Sequence, residues 1–319
     1  MKIMIFGAGA IGSIYGYFLS QGNNEVFHFV REARSRELGS GLHVKILDGR
    51  NPKEVREIDS TYALRMVTDF SEQRSFDLIL VSIKHGSLDD ALNVLRTNNV
   101  QGDILFFNGL WKDYSSLDAS IPRERYLWGY PVAGGNVDYA NAQLEGAILD
   151  NVLLAEIDGQ TTQRYARIVN LFESAGIKVE SPKSILHWIW IHMAINAGVI
   201  STCLKYGSAR AFMDDTKALR EGILTMRETL QVAAAKGADL DECKAEVRTY
   251  YLPVIFSGFM FKRVFKKNIL ARKIMELHNN LDDLYELCTD VYESARALGI
   301  STPLFDQKSG FFLGRSPKS

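Results

Sequence analysis

The amino-acid sequence predicts a doubly wound, parallel α/β domain that is followed by an all-helical domain. Short apolar runs alternate with helical patterns in the first third of the chain, and a glycine-rich turn follows the first run. Beyond Ser181-Pro182 the strand pattern stops and helical periodicity dominates. The 319 residues are enough for two domains of ordinary size, which we place at residues 1–182 and 183–319.

Strands of the first domain are predicted at residues 3–6, 25–30, 78–83 and 104–107. The run Leu78-Ile79-Leu80-Val81 lacks polar alternation, as expected for a strand that is covered on both faces, so this strand should be central in the sheet. Two further strands, at residues 152–157 and 178–179, flank a helix over residues 161–175. Gly176 is expected to end that helix in the left-handed conformation.

Helices of the second domain are predicted at residues 185–200, 215–236, 241–251 and 281–298. The first of these is the most apolar stretch of the chain, but it has only about 16 residues, whereas a membrane span needs about 20. It also contains polar side chains. We therefore predict a buried helix and no membrane contact.

Composition and charge argue against several classes of function. The formal net charge is −1, and nucleic-acid binding normally shows as a clustered basic excess, so nucleic acid is not an expected partner. Cys203, Cys243 and Cys288 are an odd number without C-x-x-C spacing, which indicates neither a disulfide framework nor a metal site. The first apolar run is too short for a secretion signal. The expected location is the reducing cytoplasm.

A glycine motif follows the first predicted strand and precedes a helical pattern. Gly7-Ala8-Gly9-Ala10-Ile11-Gly12 matches G-x-G-x-x-G, in which one glycine makes the turn, one admits the pyrophosphate and one lets helix and strand pack closely. The start of the helix adds free N–H donors to the anion site. We predict a Rossmann-type domain that binds a dinucleotide through Gly7, Gly9, Ala10, Ile11 and Gly12; the alternative is a glycine-rich turn without a ligand.

The residue that ends the second strand bears on the choice of cofactor. An NAD enzyme usually has an acidic residue there for the ribose hydroxyls, whereas this chain has Arg31, with Arg34 and Arg36 nearby. A guanidinium favours a 2′-phosphate, so we predict NADP with Arg31 as a cofactor ligand. The alternative is a solvated basic turn in which Glu32 pairs with one of the arginines.

Five segments together resemble the ketopantoate reductase (2-dehydropantoate 2-reductase) family. They are the opening M-K-I-x-I-x-G-A-G-A-I-G, the strand end Val81-Ser82-Ile83-Lys84, Phe107-Asn108-Gly109, the helix Trp190-Ile191-His192-Met193-Ala194-Ile195-Asn196, and Leu298-Gly299-Ile300-Ser301-Thr302-Pro303. The resemblance implies a 6-phosphogluconate dehydrogenase C-terminal-like helical domain and hydride transfer from NADPH to a small anionic 2-oxo acid, as in pantothenate biosynthesis. It also implies that Lys84 and Asn108 lie beside the nicotinamide.

The chain departs from the family at its catalytic residues. The resemblance aligns His192 with the family's catalytic lysine, Asp283 with its substrate-binding glutamate and Ala271 with its substrate-binding serine. His192 is then the candidate acid, and a neighbouring Asp283 would raise the fraction of imidazolium. Asn196, four residues later on the same helix, shares its face. The alternative is that His192 is a hydrogen-bonded core histidine.

Cations near the aligned substrate position could attract an anionic acid. The segment 261–267 is usually best interpreted as a solvated helix face, whereas Arg272 and Lys273 are candidate carboxylate partners. Three functions remain open: a 2-oxo acid reductase, an opine-type dehydrogenase that uses a histidine and a carboxylate, and a non-catalytic NADP sensor. A homodimer is compatible with each of them.

Overall fold

The computed structural model describes residues 1–83, 87–109, 111, 115–118, 120–277 and 280–315. The chain divides into two compact units. The first unit comprises Met1–Asn108 and Tyr114–Ile185, and the second comprises Gly109–Asp113 and Leu186–Ser319. The division after Ile185 lies close to the boundary that we placed at residue 182 from the sequence.

Ten strands of the described residues form one mixed sheet in the first unit. They are β1 (Lys2–Phe6), β2 (Glu25–Phe29), β3 (Gly41–Asp48), β4 (Arg56–Ala63), β5 (Arg65–Val67), β6 (Ser75–Val81), β7 (Gln101–Phe106), β8 (Tyr126–Asp138), β9 (Gln143–Ala155) and β10 (Lys178–Glu180). The strand order is β4-β3-β9-β8-β7-β6-β1-β2-β5, and β10 pairs with β9.

The parallel core of this sheet confirms the predicted fold class. Strands β5, β2, β1, β6, β7 and β8 pair in parallel, whereas β8 with β9 and β3 with β4 form antiparallel pairs. Strand β6 lies between β1 and β7, and its apolar run at residues 78–81 is fully buried. The predicted central strand is therefore central, and the carboxyl ends of β1, β6 and β7 meet at one edge.

Five α-helices are described in the first unit: α1 (Ala10–Ser20), α2 (Glu32–Leu38), α3 (Leu88–Thr97), α4 (Ser115–Asp118) and α5 (Gln163–Ser174). Helix α1 contacts β8 and β9 as well as β1 and β2, and its residues 12–19 are all buried. Because two glycines replace larger side chains on its packed face, this helix can approach the sheet closely. Gly176, with φ of +74°, follows the end of α5 as predicted.

Eight α-helices are described in the second unit. They are α6 (Ile185–Tyr206), α7 (Ala209–Asp214), α8 (Thr216–Lys236), α9 (Lys244–Val247), α10 (Val254–Lys267), α11 (Ile269–Leu277), α12 (Leu281–Ala297) and α13 (Pro303–Asp306). Helix α8 contacts α7, α10, α12 and α13 and so forms the centre of the unit. Instead of the single helix predicted at residues 241–251, the chain forms the short α9 and a 3₁₀ turn, Arg248–Tyr251.

Helix α6 is the apolar stretch that the sequence singled out. Among the described residues, this helix is long and apolar enough to cross a membrane, with a mean hydropathy of 1.2. However, 67% of its most apolar window is buried inside the protein, as in the core helix of a globular domain. The structure thus confirms the prediction of a buried helix.

The last helical segment is fastened to α8 by charged groups. The Glu228 carboxylate accepts hydrogen bonds from the backbone N–H groups of Leu304 and Phe305, each at 2.9 Å. The fully buried Lys308 ammonium lies 2.8 Å from a Glu221 carboxylate oxygen, and it donates to the Thr225 hydroxyl and the Leu304 carbonyl, each at 2.9 Å. All three Lys308 donors therefore have partners.

Candidate functional site

The glycine motif forms the turn from β1 into α1, and its three glycines have different surroundings. Gly7 has φ of +101°, and its N–H donates to the Phe29 carbonyl at 2.9 Å. A Cβ at Gly12 would lie 2.8 Å from the Ile5 Cγ2, which is too close for two carbon atoms. By contrast, a Cβ at Gly9 would meet nothing within 4 Å. Gly7 is thus needed for the turn, Gly12 for packing, and Gly9 lines open space.

This open space lies at the start of α1. The first-turn N–H groups of Ala10 and Ile11 have no intrahelical acceptor, and the N-cap residue Gly9 has no side chain that could cap them. Such N–H groups, together with the positive end of the helix dipole, bind phosphate groups. The residues present therefore fit a dinucleotide: the backbone leaves room beside Gly9 and offers donors around it.

A buried histidine, His28, holds the glycine turn through a hydrogen bond to its backbone. Its side chain, on the last residue but one of β2, is fully buried, with Nδ1 2.9 Å from the Gly7 carbonyl oxygen and Nε2 2.9 Å from the Tyr62 hydroxyl. Because a carbonyl can only accept, Nδ1 carries the proton and Nε2 accepts from Tyr62. Burial lowers the pKa of His28 to about 4, so the ring is neutral at pH 7.

A fourth glycine makes this arrangement possible. Gly16 lies on α1, one turn after Gly12, and a Cβ there would lie 2.7 Å from the Tyr62 Oη and 2.9 Å from the His28 Nε2. A side chain at this position would therefore separate the histidine from the tyrosine. The contact between β2, β4 and α1 that holds the Gly7 carbonyl depends on the missing Cβ.

Asn108 links two strand ends at the same edge of the sheet. Its Nδ2 donates to the Ile83 carbonyl at 2.7 Å, and its own carbonyl accepts from the Trp128 indole at 2.8 Å. The acceptor of the Trp128 indole is the backbone carbonyl of Asn108. Its side-chain Oδ1, by contrast, has no hydrogen-bond partner among the described residues, and Asn108 is 3% exposed. A buried acceptor without a donor is costly, so it fits a ligand donor such as an amide N–H. The predicted Lys84 lies outside the described residues.

The arginines after β2 differ in their contacts. Arg31 is exposed at the N-cap of α2, where the sequence predicted a cofactor ligand. The Arg34 guanidinium lies 3.3 Å from the centroid of the Tyr139 ring and 2.6 Å from the Glu37 carboxylate. Arg36 pairs with Glu32, and both side chains are largely exposed. The pairing of Glu32 with one of the three arginines, the alternative that the sequence left open, is present and involves Arg36.

The second unit holds the other predicted residues. His192 and Asn196 lie on α6, and the structure gives both a partly buried position on the same side of the helix. The His192 ring stacks on Trp188 with a centroid distance of 4.7 Å and an interplanar angle of 10°. Asp283 lies in the first turn of α12, where it accepts a hydrogen bond from the Asn280 side chain at 2.5 Å.

The predicted direction of the pKa shift of His192 is wrong. The sequence analysis expected Asp283 to raise the fraction of imidazolium, but loss of hydration lowers the pKa of His192 to about 4. A histidine with this pKa is almost entirely neutral at pH 7. In this state the ring offers one N–H donor and one acceptor nitrogen rather than a positive charge.

Arg272, which the sequence suggested as a carboxylate partner for the substrate, pairs with two carboxylates of the second unit in the structure. Its guanidinium makes a two-pronged ion pair with Asp214, at 2.8 and 2.9 Å, and a further contact with Glu276 at 3.1 Å. These carboxylates already compensate its charge, so Arg272 joins α11 to α7. The exposed cations of residues 261–267 are a solvated helix face, as the simpler interpretation held.

Sequence reasoning missed the residues that support the glycine turn. A histidine inside the apolar strand β2 is a signal that could have marked His28, and a glycine one turn after the motif could have marked Gly16. Tyr62 and Tyr139 gave no such signal, because their positions depend on the pairing of long strands.

Comparisons with known proteins bear on the family and the fold of the chain. Residues 3–142 match the family model described as ketopantoate reductase PanE/ApbA. The 2-dehydropantoate 2-reductase of Pyrococcus abyssi is 24% identical over 249 residues, which are 76% of this chain and 76% of that protein.

Two solved structures show the same fold over nearly the whole chain. A ternary structure of D-mandelate dehydrogenase with NADH and anilino(oxo)acetate has a TM-score of 0.71 at 17% identity, covering 98% of this chain and 97% of that one. The 2-dehydropantoate 2-reductase from Geobacter metallireducens has a TM-score of 0.70 at 19% identity, covering 98% and 99%. The chain therefore has the fold of these dehydrogenases, and its amino-terminal part matches the ketopantoate reductase family of oxidoreductases.

Proposed function

We propose that this chain transfers hydride from NADPH to the carbonyl carbon of a small anionic 2-oxo acid and forms the 2-hydroxy acid. The observation that carries the proposal is the glycine turn, in which the surroundings of Gly9 are open while Gly12 is closely packed. The match of residues 3–142 to the ketopantoate reductase family supports the reaction class.

The first unit supplies the cofactor site in this proposal. The backbone around Gly7, Gly9, Ala10, Ile11 and Gly12 binds the pyrophosphate. Arg31 binds the 2′-phosphate, which favours NADP. Asn108 serves the nicotinamide end, where its Oδ1 accepts a hydrogen bond from the ligand, and the family resemblance assigns Lys84 to the same end. The bound nicotinamide supplies the hydride.

The second unit supplies the groups that meet the substrate oxygen. Hydride transfer builds negative charge on that oxygen, and positioned hydrogen-bond donors stabilise it. Because His192 is neutral near pH 7, it acts through a ring N–H, with Asn196 as a second donor and Asp283 as a positioning carboxylate. The oxygen takes its final proton from water to give the hydroxyl group, and Lys84 is assigned a catalytic role by the family resemblance alone.

The loss of NADPH absorbance with a panel of 2-oxo acids tests the proposal. The panel contains ketopantoate, pyruvate and phenylglyoxylate, the 2-oxo acid that corresponds to mandelate. We expect His192→Ala and Lys84→Ala to lower kcat by about 10²–10⁴-fold, the range of a positioned acid or donor. His187→Ala, on the same helix, is the matched control. Full turnover in both site variants would refute the site assignment.

The pH profile distinguishes the two possible states of His192. If the neutral ring acts, kcat changes little between pH 6 and pH 8, because both values lie well above its pKa of about 4. If the imidazolium acts, kcat falls by about tenfold for each unit of pH over the same range. The second result would contradict the role given to the neutral ring.

The two other functions remain testable, although the comparisons do not favour them. An opine-type dehydrogenase would need an amino acid beside the 2-oxo acid, so an increase in rate on adding amino acids would favour it. A sensor would bind NADPH tightly without oxidising it in the presence of any 2-oxo acid of the panel.

We also propose a cytoplasmic homodimer. Helix α10 presents Ile255, Phe256 and Phe259 to solvent, with exposures of 62%, 71% and 66%. Monomeric proteins rarely expose such a contiguous apolar face. Light scattering coupled to size exclusion should give twice the chain mass of 35.8 kDa, and Phe256→Asp should reduce it to that of the monomer.

A further inference from the structure

Arg34 and Tyr139 form a stacked pair in the first unit. The guanidinium carbon of Arg34 is 3.3 Å from the centroid of the Tyr139 ring, close enough for the plane of the cation to rest on the ring face. The Nη1 of Arg34 also contacts the Glu37 carboxylate at 2.6 Å. The Arg34 side chain nevertheless keeps 37% of its surface accessible to solvent. The guanidinium is thus held in place, with part of its surface open.

The pair lies beside the glycine turn. Tyr139 directly follows β8, and its hydroxyl donates to the carbonyl of Ala8, within the glycine motif, at 3.5 Å. Arg34 lies in α2, which begins directly after Arg31 at the end of β2. A dinucleotide whose pyrophosphate binds at the start of α1 extends its adenosine ribose toward the end of β2. Arg34 and Tyr139 therefore border the place where that ribose would lie.

We propose that Arg34, positioned by Tyr139, binds the 2′-phosphate of NADP and is a second determinant of cofactor choice beside Arg31. This proposal rests on the proposed function. A guanidinium has five donors in one plane, and the two that contact a phosphate need not break its stacking on an aromatic ring. Because the ring already restricts the side chain, less conformational freedom is lost on binding.

Neither the ion pair with Glu37 nor the nearby Arg36 weakens this assignment. Glu37 pairs with Arg34, but its side chain is 53% exposed, and surface ion pairs contribute little. A doubly charged phosphate can therefore replace Glu37 as the partner. Arg36 is a less suitable ligand, because it is 76% exposed and pairs with Glu32.

Fluorescence titration with NADPH and NADH separates these roles. We expect Arg34→Gln to weaken NADPH binding by about 10- to 100-fold, the range for hydrogen bonds to charged groups, and NADH binding by less than about threefold. Tyr139→Leu, which removes the ring, should give an intermediate loss of NADPH affinity only. Tyr139→Phe keeps the ring and should bind like the wild type. Arg36→Gln is the matched control and should change neither affinity.

The outcomes for the two proposals differ. If the wild type binds neither nucleotide, the proposed function fails and this inference fails with it. If the wild type binds NADPH, but Arg34→Gln weakens NADPH and NADH equally or not at all, the role of Arg34 is wrong while the proposed function stands. The same holds if Arg36→Gln has the larger effect. Thermal unfolding of each variant shows whether a loss of binding comes from loss of the fold.

Discussion

Alanine at Gly9, the N-cap of α1, and alanine at Gly16, within α1, should separate nucleotide binding from folding. A Cβ at Gly9 meets no atom within 4 Å, and the residue has φ of −75°, which alanine readily adopts. A Cβ at Gly16 would lie 2.7 Å from the Tyr62 Oη, 2.8 Å from the Ile5 Cδ1 and 2.9 Å from the His28 Nε2. The first substitution fills open space, and the second fills a packed core.

The expected magnitudes follow from these contacts. At Gly16, overpacking costs about 3 kcal/mol, since three buried atoms must move. Loss of the buried hydrogen bond between His28 and Tyr62 adds about 1 kcal/mol. Alanine regains about 1 kcal/mol through its helix propensity. The net loss of about 3 kcal/mol should lower the Tm of a unit of this size by roughly 6–12 °C.

At Gly9 the same bookkeeping gives almost no change in stability. Alanine restricts the unfolded chain, which stabilises by about 0.4–1 kcal/mol. It is also a poorer N-cap residue than glycine, which costs about the same. Its methyl group, however, would occupy the space for the pyrophosphate. An overlap worth about 1–3 kcal/mol should weaken NADPH binding by about 5- to 150-fold.

The assay combines thermal unfolding without nucleotide and fluorescence titration with NADPH. Gly310→Ala is the matched control, because a Cβ at Gly310 also meets nothing within 4 Å, and this glycine lies in the second unit. The control should change neither Tm nor affinity. The reasoning is refuted if Gly9→Ala binds NADPH like the wild type, or if Gly16→Ala unfolds at the same temperature as Gly9→Ala.

Three further predictions concern buried polar groups. Tyr62→Phe should cost about 1–3 kcal/mol in urea unfolding, because it leaves the His28 Nε2 buried without a donor. Lys308→Met should cost about 3–5 kcal/mol, whereas Lys205→Met, which removes the more exposed partner of Glu221, should cost less than about 1 kcal/mol; equal losses would contradict this. Since burial lowers the pKa of His28 from 6.5 to about 4, the unfolded chain binds more protons between these values. Stability should therefore fall by up to about 1.4 kcal/mol per unit as the pH drops through this window, and His28→Asn should remove that part of the slope in pH-dependent urea unfolding.

The sequence was a good guide where one local signal was enough. The apolar run of β6 predicted a central strand, because a strand covered on both faces has no polar alternation. Helix α8 begins after Asp215, whose side chain accepts from the Lys217 N–H, and ends before Gly237, which has φ of +112°. Such caps are visible in the sequence, since they depend on a single residue.

Prediction failed where a distant partner decided the structure. The pattern at residues 241–251 predicted one helix, but the Arg227 guanidinium binds the carbonyls of Tyr250 and Leu252, each at 2.6 Å, and these carbonyls are no longer available to a regular helix. Strand β4 was missed because it lies at the edge of the sheet and is mostly polar. Local sequence patterns predict neither the position of Arg227 nor which strand lies at the edge of the sheet.

The prediction for the protonation state of His192 was wrong for a related reason. A residue type sets only the ordinary pKa, and the shift depends on the hydration that the folded chain leaves around the ring. The sequence placed Asp283 as a neighbour and therefore predicted an upward shift, whereas loss of hydration gives a downward one. A family resemblance can thus propose a position for a catalytic group, but it does not give the charge of that group.

The glycines of the first helix show why a motif alone cannot separate folding from binding. Gly7, Gly12 and Gly16 are each required by the protein itself, through a positive φ or through a contact below 3 Å. Gly9 is different, because its missing side chain relieves nothing in the protein. Gly310 is equally unhindered, so open space alone does not indicate a ligand; Gly9 differs because it lies at the start of α1, where N–H groups lack intrahelical acceptors. The pyrophosphate of the proposed cofactor would approach the backbone at this place, where a side chain on residue 9 would obstruct it.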